Sequence, residues 1–400
     1  MAMVDLDVEL SDEERKVRET VHKFAAEVMR PAGITLDRLP NPEDVIAPRS
    51  ILWNVFKKYR ALGLEAYTDP TNDLPPVQRA RLRYIIAEEL GWGDSGLAIS
   101  FGVAAFPRMM AQLSGKPELI ERFGAEDSIG CWGGTEPHHG SDFIIFADKI
   151  GTPAYGRPDC IARKDGDFFV IDGQKSAWVS NGTIASASAL FCAVDMGDGP
   201  EGNGGFVVPL DVPGVSRGKP LNKIGQRALN QGEIFFDGVR VPADYMVMAP
   251  EMFAFAADTI LSMANSGMGT TFVGVAQAAL DLAVDYAKER VQGGVPIFEH
   301  QSVKARLFDM FRKVEAARSL ARRVILYNMT STPPLLQYAI ASKVTATSTA
   351  FEVASAALQI FGGNGLSREY PIEKLLRDAR ASMIEDGCND VLGLVAAERL

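Results

Sequence analysis

The sequence changes character at one stretch, residues 131–142, which reads CWGGTEPHHGSD. Its small residues and hydroxyls let the backbone approach a ligand closely and donate N–H groups to it, and Trp132 offers a flat face to a planar ring. A turn-rich connection between two domains has the same composition, so both interpretations stand. His138 and His139 have no accompanying set of carboxylates or thiols, so no metal site is predicted.

Before this stretch, residues 1–125 have a helical pattern. Ser11 and Glu14 form a capping box, and apolar residues then recur on one helical face until Pro31, where the first helix is expected to end. We therefore predict an N-terminal helical domain over 1–125.

Residues 126–245 consist of short apolar runs separated by turn residues. Runs such as 168–171 and 190–194 are typical of strands, and Asp-Gly pairs at 165–166 and 237–238 favour turns. This pattern predicts a small antiparallel β domain over 126–245.

Residues 246–400 return to long helices. Ala-rich stretches at 273–286 and 339–359 are apolar on more than one face, which is typical of helices buried in a bundle. The order of helices, sheet and helices predicts an α+β fold.

Composition limits the classes of function. The chain has 400 residues, 47% hydrophobic and 23% charged, which suggests two or three domains that each bury a core. Its 51 acidic residues outnumber the 41 basic ones, and a net charge of −10 would repel nucleic acid. Residues 301–400 nevertheless carry 13 Lys/Arg against 10 Asp/Glu. If an anionic ligand binds, the last quarter of the chain is therefore the place to look for its site.

The cysteines and the N-terminus bear on the compartment. Four dispersed cysteines without a CxxC pair suggest neither a disulfide framework nor a structural zinc site. The N-terminus lacks an apolar signal region, and no uninterrupted apolar run approaches the roughly 20 residues of a membrane span. We expect a cytoplasmic protein without membrane insertion.

Two further clusters could carry chemistry: residues 178–182, and residues 359–365 followed by 385–390. Residues 178–182 (WVSNG) pair an aromatic with a hydroxyl, although a strand end and a turn are the simpler interpretation. Residues 359–365 (QIFGGNG) first of all end a helix, yet their glycines also clear a surface on which a cofactor could lie. In residues 385–390 (EDGCND), a carboxylate before a glycine at a helix break could act as a general base, although adjacent acids are more often a solvated end.

Taken together, these clusters resemble the acyl-CoA dehydrogenase family of flavoproteins over nearly the whole chain. The motifs that match in order and spacing are Thr135-Glu136-Pro137 with Gly140-Ser141-Asp142, Trp178 to Gly182, Glu289-Arg290, His300-Gln301, Gln359 with Gly362 to Gly365, and Glu369-Tyr370-Pro371 through Arg377-Asp378-Ala379. The resemblance implies an N-terminal helical domain, a middle antiparallel β domain and a C-terminal four-helix bundle over 246–400. An insertion is expected at 151–159.

The resemblance also implies FAD, lying between the β domain and the bundle. The positions that match flavin-side contacts are Trp132, Gly134, Thr135, Gly140, Ser141, Trp178 and Ser180, with Cys388 and Asp390 in place of two residues that usually meet the flavin. The positions that match contacts from a neighbouring subunit to the adenine end are Arg290, Gln301, Gln359 and Gly363. A homo-oligomer, most often a tetramer, is implied.

In the family, a carboxylate removes the α-proton of an acyl-CoA thioester, flavin accepts a hydride, and an electron-transferring flavoprotein receives the electrons. The matching base is usually glutamate, but here it is Asp386, with Glu385 as a rival. The shorter side chain withdraws the carboxylate by about 1.5 Å, and misplacement on that scale can cost about 100-fold in rate. Ser141 and Gly387 are expected to help hold the thioester, and Asp94 to line the acyl pocket.

The aspartate leaves alternatives open. With Asp94 it is compatible with a cyclic or otherwise unusual acyl group, or with a vinylogous elimination. The same fold could also support oxygenation, or elimination from an acyl-CoA without net oxidation. A non-catalytic acyl-CoA-binding subunit is a further alternative.

Overall fold

Helices, a mixed sheet and more helices follow one another in the computed structural model, which describes residues 10–68, 72–125, 128–145 and 158–400. Most of the predicted insertion at 151–159 therefore lies outside the described residues. The α+β fold class is confirmed.

The N-terminal part is helical. Its elements are α1 (Asp12–Phe24), a π-helical turn (Ala25–Met29), α2 (Arg30–Asp37), α3 (Pro42–Val45), α4 (Ile51–Arg60), α5 (Glu65–Thr68), α6 (Pro76–Gly93), α7 (Ser95–Ala104), α8 (Phe106–Ser114) and α9 (Pro117–Phe123).

The first helix begins as predicted and ends differently. Ser11 and Glu14 form the capping box. Pro31, however, does not end the helical path, because it occupies the first turn of α2 directly after the π-helical turn. A proline is tolerated there since its missing N–H is not needed in a first helical turn.

The middle part is built on an eight-stranded sheet. Its elements are β1 (Gly130–Gly133), α10 (Asp142–Ile145), β2 (Ile161–Asp165), β3 (Phe168–Lys175), β4 (Ala187–Asp195), β5 (Pro200–Pro209), β6 (Val215–Arg217), β7 (Ile234–Pro242), a 3-10 turn (Ala243–Tyr245) and β8 (Met246–Met248).

The sheet is mostly antiparallel, with the strand order β6-β7-β3-β2-β4-β5-β8. Both β1 and β2 run parallel to β4 and share one of its edges, β1 along 187–190 and β2 along 193–195. The sheet also extends past the predicted boundary at 245, because β8 pairs with β5.

The C-terminal part is helical again. Its elements are a 3-10 turn (Pro250–Met252), α11 (Phe253–Glu289), the short strands β9 (Val291–Gln292) and β10 (Val295–Pro296), a 3-10 turn (Ile297–Glu299), α12 (Gln301–Thr330), α13 (Leu336–Phe361), a 3-10 turn (Gly362–Leu366), α14 (Ile372–Ser382) and α15 (Asn389–Ala397).

Small side chains let the long helices approach closely. Alanines of α11 and α13, such as Ala279 and Ala350, are fully buried in one core. Helix α6 from the N-terminal part crosses α11 at Gly274, where a Cβ would lie 1.9 Å from the Glu88 carbonyl oxygen. Only glycine fits that crossing, and it fixes the end of α6 and the start of α7 beside the bundle.

Within the described residues, two segments are long and apolar enough to cross a membrane by length and composition, Ser95–Ser114 and Pro250–Glu289. The prediction concerned uninterrupted apolar runs, and polar residues interrupt both of these segments. The second segment is α11 with its preceding turn, and 72% of an apolar 18-residue stretch within it is buried. The first segment is divided between α7 and α8. The packing of the fold accounts for the apolar character of α11. The absence of membrane insertion stays a prediction.

Candidate active site

A hydrogen bond joins two of the stretches singled out in the sequence, residues 131–142 and residues 385–390. The Cys388 N–H donates a hydrogen bond of 3.0 Å to Ser141 Oγ. Ser141 immediately precedes α10, and Cys388 immediately precedes α15. This bond therefore joins residues 134–141, called here the glycine-rich loop, to the segment after α14.

Residues 178–182 are joined to the glycine-rich loop through Ser176. The hydroxyls of Thr135 and Ser176 lie 2.8 Å apart, and the Ser176 N–H donates to the Thr135 carbonyl at 2.9 Å. Ser176 Oγ in turn accepts from the Trp178 N–H. The three stretches that sequence reasoning treated separately therefore form one surface.

Gln231 holds the turn at Trp178 and Ser180. Its Nε2 donates to the Trp178 carbonyl at 3.1 Å and to Ser180 Oγ at 3.2 Å, while its Oε1 accepts from Lys223 Nζ at 2.7 Å. The residue Trp178 is 60% exposed. A large aromatic on a fixed turn with its ring open to solvent is suited to stacking on a planar ligand.

A buried ion pair fixes the glycine-rich loop from below. Lys175 Nζ, at the end of β3, contacts Glu136 Oε1 at 2.5 Å and donates to the carbonyls of Gly134 (3.2 Å) and Phe191 (2.6 Å). Both side chains of the pair are fully buried. The second Glu136 oxygen accepts from the Cys160 N–H at 3.1 Å. The backbone around Gly134 is therefore held rigidly.

Trp132 has a different environment from Trp178. Its ring lies 4.9 Å from Phe106 and 4.5 Å from Phe191, centroid to centroid, within an apolar cluster. This packing gives Trp132 a core role, and its part in cofactor binding stays a prediction.

Asp386 occupies an unusual backbone conformation. Its φ is +50°, and Gly387 follows with φ +94°. A Cβ on Gly387 would approach Leu392 Cδ2 to 2.7 Å, so the segment needs glycine for space as well as for φ. Asp386 is exposed, and among the described residues its carboxylate accepts no hydrogen bond. Surrounding protein nevertheless raises the pKa of the Asp386 carboxyl, and Lys343 opposes that rise.

Glu385 points into the protein. Its Oε1 accepts from Gln226 Nε2 at 2.6 Å. Burial, with the charge of Asp386, raises the pKa of Glu385 to about 7. Glu385 is therefore hydrogen-bonded and protonated more readily, whereas the neighbouring Asp386 carboxylate has no hydrogen-bond partner in the described part of the chain.

Residues with a left-handed backbone conformation lie around this surface. The non-glycine residues with positive φ in the described part of the chain are Asn181, Gln226 and Asp386. Asn181 belongs to the Trp178 turn, and Gln226 contacts Glu385. Strained conformations of this kind cost about 1–3 kcal/mol each and cluster at functional sites, so their distribution supports a site here.

The predicted acyl-pocket residue Asp94 lies in a buried polar chain. Its Oδ1 caps α7 by accepting from the Leu97 N–H at 2.9 Å, and its Oδ2 contacts Lys374 Nζ at 2.6 Å. Lys374 also contacts Asp378 at 2.5 Å. Although burial opposes it, the two carboxylates together raise the pKa of Lys374. An engaged carboxylate that is 2% exposed does not fit a working base.

This chain of contacts continues to the base segment. Asp378 Oδ1 accepts from the Gln226 N–H at 2.5 Å, and Gln226 contacts Glu385. Asp94 therefore supports the segment that carries Asp386. Its predicted contact with an acyl group stays a prediction.

The positions predicted to meet the adenine end lie at one end of the helical bundle. Arg290 caps α11, Gln301 begins α12, and Gln359 and Gly363 lie at the end of α13. Gln359 lines a surface cavity of about 470 Å³ with Arg306 and Lys313. Among the described residues, no hydrogen bond joins this group to the glycine-rich loop or the Trp178 turn.

The flavin-side residues fit FAD by the chemistry of their donors. Hydroxyls of Thr135, Ser141 and Ser180, an exposed indole and a rigid glycine backbone are suited to a planar ring with a phosphorylated chain. This fold and this surface define a flavoprotein oxidoreductase.

Comparison with known proteins narrows that class to a family. Residues 131–239 match the acyl-CoA dehydrogenase middle domain, and residues 255–400 match the acyl-CoA dehydrogenase C-terminal domain. The mitochondrial short-chain specific acyl-CoA dehydrogenase of Rattus norvegicus is 31% identical, over 98% of this chain and 91% of that protein. The short-chain specific enzyme of Megasphaera elsdenii is 32% identical, over 80% and 82%.

Solved structures agree. Butyryl-CoA dehydrogenase from Megasphaera elsdenii has a TM-score of 0.83 at 26% identity, covering 98% of this chain and 99% of that one. Glutaryl-CoA dehydrogenase from Mycobacterium smegmatis has a TM-score of 0.78 at 25% identity, covering 98% and 95%. The chain belongs to the acyl-CoA dehydrogenase family and is an FAD-dependent acyl-CoA dehydrogenase.

Supporting residues that sequence reasoning missed include Ser176, Gln226, Gln231, Lys343 and Asn389. Lys343 left a detectable signal, because it is the only charged residue in the first half of an Ala-rich helix expected to be buried. The two glutamines left none, since a polar residue in a loop before a strand has no distinguishing pattern.

Proposed function

We propose that this chain removes the α-proton of an acyl-CoA thioester with Asp386 and yields an enoyl-CoA. The hydrogen bond from the Cys388 N–H to Ser141 Oγ supports this proposal most directly. It holds the segment of Asp386 against the loop whose residues fit the flavin, as proton removal beside a hydride acceptor requires.

FAD, when bound, supplies the hydride acceptor. Trp178 would cover its ring, the hydroxyls of Thr135, Ser141 and Ser180 would bind its polar groups, and Gly134 and Gly140 would admit it close to the backbone. Cys388 and Asp390 would lie beside it. We infer these roles from the donor chemistry and from the contacts that fix each residue.

Asp386 is suited to act as the base because its carboxylate accepts no hydrogen bond from any described residue, whereas Glu385 is bonded to Gln226. The N–H of Gly387 and the hydroxyl of Ser141 would hold the thioester carbonyl and stabilise the negative charge that develops on its oxygen. That stabilisation acidifies the α-proton for a weak base such as a carboxylate.

The length of the Asp386 side chain affects where the α-carbon of the substrate must lie. An aspartate carboxylate ends about 1.5 Å short of a glutamate carboxylate on the same backbone, so the α-carbon must come closer to the segment. We infer an acyl group that allows this approach, with a cyclic or otherwise unusual group as the candidate to test beside straight chains.

The assembly and the acceptor are also part of the proposal. We infer a cytoplasmic homotetramer in which Arg290, Gln301, Gln359 and Gly363 of one subunit bind the adenine end of FAD in another. The separation of these residues from the flavin-side surface within one chain supports that inference. An electron-transferring flavoprotein would accept the electrons.

The test is flavin bleaching without oxygen. The purified protein is loaded with FAD and mixed anaerobically with straight-chain, branched and cyclic acyl-CoAs, and the flavin absorbance is followed. At least one acyl-CoA should bleach the wild-type flavin rapidly, and Asp386→Asn should not bleach at a comparable rate. Oxygen consumption without an acceptor, turnover without bleaching, or no reaction with any acyl-CoA would each contradict the proposal.

A further inference from the structure

A buried lysine that no sequence motif contains lies directly behind the proposed base. Lys343 is in α13 and is fully buried. Its Nζ donates to the Gly387 carbonyl at 2.8 Å and to Asn389 Oδ1 at 2.8 Å. One lysine thus contacts the segment on the C-terminal side of Asp386 at two points.

Thr347, one turn further along α13, completes the attachment. Its hydroxyl donates to the Lys343 carbonyl at 2.8 Å and accepts from Asn389 Nδ2 at 3.1 Å. Helix α13 therefore fixes both the Gly387 backbone and the first residue of α15. The left-handed backbone of Asp386 and Gly387 is held from this side, and the Ser141 contact to Cys388 holds it from the other.

The charge of Lys343 has no direct counter-ion. In the described ranges no carboxylate oxygen lies within ion-pair distance of its Nζ, and both of its acceptors are neutral. A buried ammonium with neutral partners is costly, so its retention calls for an explanation. The charges that act on it are those of Asp386 and then Glu385.

We propose that Lys343 is a positioning residue for the reaction: its ammonium group fixes the segment from Asp386 to Asn389 and keeps the Asp386 carboxylate ionised. This inference rests on the proposed function, in which Asp386 is the base. Lys343 contacts neither the proposed cofactor surface nor the reacting atoms, and it acts through the backbone and through its charge.

The other charged groups around the segment do not take over this role. Lys223, from the β6–β7 connection, faces Glu385 and is bonded to Gln231. On the α10 side, Asp142 is paired with His139 at 2.8 Å. Glu385 is a like charge that disfavours ionisation of its neighbour. Lys343 is the cation that favours the ionised Asp386.

The sign of the pH effect follows. Activity needs ionised Asp386, so the acid limb of the rate profile follows the pKa of that carboxyl. Removing a nearby cation raises the pKa of a carboxyl, and the limb should move to higher pH. Burial lowers the pKa of Lys343 itself to about 8, so the wild-type enzyme should lose this support as the pH rises above that value.

The experiment compares Lys343→Met with Lys116→Met in the full-length, FAD-loaded protein. Lys116 is the control, since its Nζ, like that of Lys343, donates to two neutral oxygens, here the backbone carbonyls of Asp244 and Met246 at 2.7 and 3.0 Å, but it lies away from Asp386 on a side chain that is 35% exposed. Lys343→Met should slow flavin reduction about tenfold or more and move the acid limb up by about one pH unit. Lys116→Met should do neither.

Two further variants separate charge from attachment. Lys343→Gln keeps a donor on this helix face without the charge, and it should move the acid limb even if Lys343→Met folds poorly. Thr347→Val removes the hydroxyl that bonds Asn389 Nδ2 and the Lys343 carbonyl but keeps the Lys343 ammonium, and it should leave the acid limb in place. Hydrogen–deuterium exchange of residues 383–390, measured without FAD, should rise about tenfold in Lys343→Met and stay unchanged in Lys116→Met.

The outcomes are distinguishable. An unmoved acid limb in both Lys343 variants, or unchanged exchange at 383–390 in Lys343→Met, would overturn the positioning role while Asp386→Asn still lost activity. Failure of the proposed function would appear instead as an Asp386→Asn protein that reduces its flavin as fast as the wild type.

Discussion

The Cys388 N–H lies 3.0 Å from Ser141 Oγ, and this one hydrogen bond joins residues 247 positions apart in the sequence. It brings the loop that fits the flavin and the segment that carries Asp386 to a single surface. A proton acceptor and a hydride acceptor must act on adjacent carbons of one substrate, so this contact sets the geometry on which the proposed reaction depends.

Loss of the Ser141 hydroxyl should affect the reaction more than the fold. Ser141→Ala removes the bond to Cys388, and a neutral hydrogen bond contributes only about 1 kcal/mol to stability. We expect flavin reduction to slow about tenfold, measured anaerobically with the best acyl-CoA. Ser114→Ala, which removes a hydroxyl bonded to the Ala111 carbonyl in α8, is the control. Equal rates in the two variants would refute the role of Ser141.

Glu385 should make stability depend on pH. Burial, with the charge of Asp386, raises its pKa from 4.5 to about 7, so the folded chain holds this proton more tightly than the unfolded chain. The resulting stabilisation is full below pH 4.5 and is lost as the pH rises through 7. Glu385→Gln cannot ionise, and it should be more stable than the wild type at pH 8 by about 2 kcal/mol.

Urea unfolding at pH 5.5 and pH 8 measures this difference. The advantage of Glu385→Gln should shrink at the lower pH. Glu369→Gln, at an exposed position, should show the same small effect at both. An advantage for Glu385→Gln that did not change with pH would rule out the titration of Glu385 as its cause.

Asp94 should matter for stability before specificity. Asp94→Asn weakens a buried contact to Lys374 and leaves that ammonium with Asp378 alone. Breaking a buried ion pair costs about 3–5 kcal/mol, which urea unfolding would detect. Asp12→Asn, whose parent side chain is 94% exposed, should cost less than about 1 kcal/mol. A stable Asp94→Asn protein with altered acyl-CoA preference would instead favour a pocket role.

The Glu136–Lys175 pair should control cofactor retention. Glu136→Gln leaves Lys175 buried without a carboxylate beneath the Gly134 backbone. We expect a loss of about 3 kcal/mol in stability and release of FAD during gel filtration, measured as the flavin-to-protein ratio. Glu118→Gln, exposed on α9, should retain its FAD. Full retention by Glu136→Gln would contradict the support role of the pair.

Local patterns predicted the order of helices, sheet and helices, because apolar periodicity and turn residues are properties of short segments. Ser11 with Glu14 correctly marked the start of α1. The prediction that the first helix ends at Pro31 was wrong, because whether a proline ends a helix depends on the turn before it. The π-helical turn at 25–29 has no sequence pattern of its own. The parallel pairing of β1 with β4 is equally hidden, because it joins strands far apart in the sequence.

The residue types of the candidate site could be predicted from the sequence, but the contacts that connect those residues could not. Trp178, Ser180, Ser141 and Asp386 stood out as residue types suited to the chemistry. Their mutual contacts run through Ser176 and Gln231, which look like ordinary polar residues in the sequence. Asp94 shows the converse, because a buried lysine 280 positions away engages its carboxylate.

In the proposed reaction Asp386, and not Glu385, removes the proton. The direct measurement is single-turnover flavin reduction in Asp386→Asn and Glu385→Gln, each FAD-loaded and mixed anaerobically with the best acyl-CoA. We expect a loss of about 100-fold or more in Asp386→Asn, as for removal of a general base, and a loss of less than about tenfold in Glu385→Gln. The reverse order, with Glu385→Gln inactive and Asp386→Asn near the wild-type rate, would contradict the assignment of Asp386 as the base.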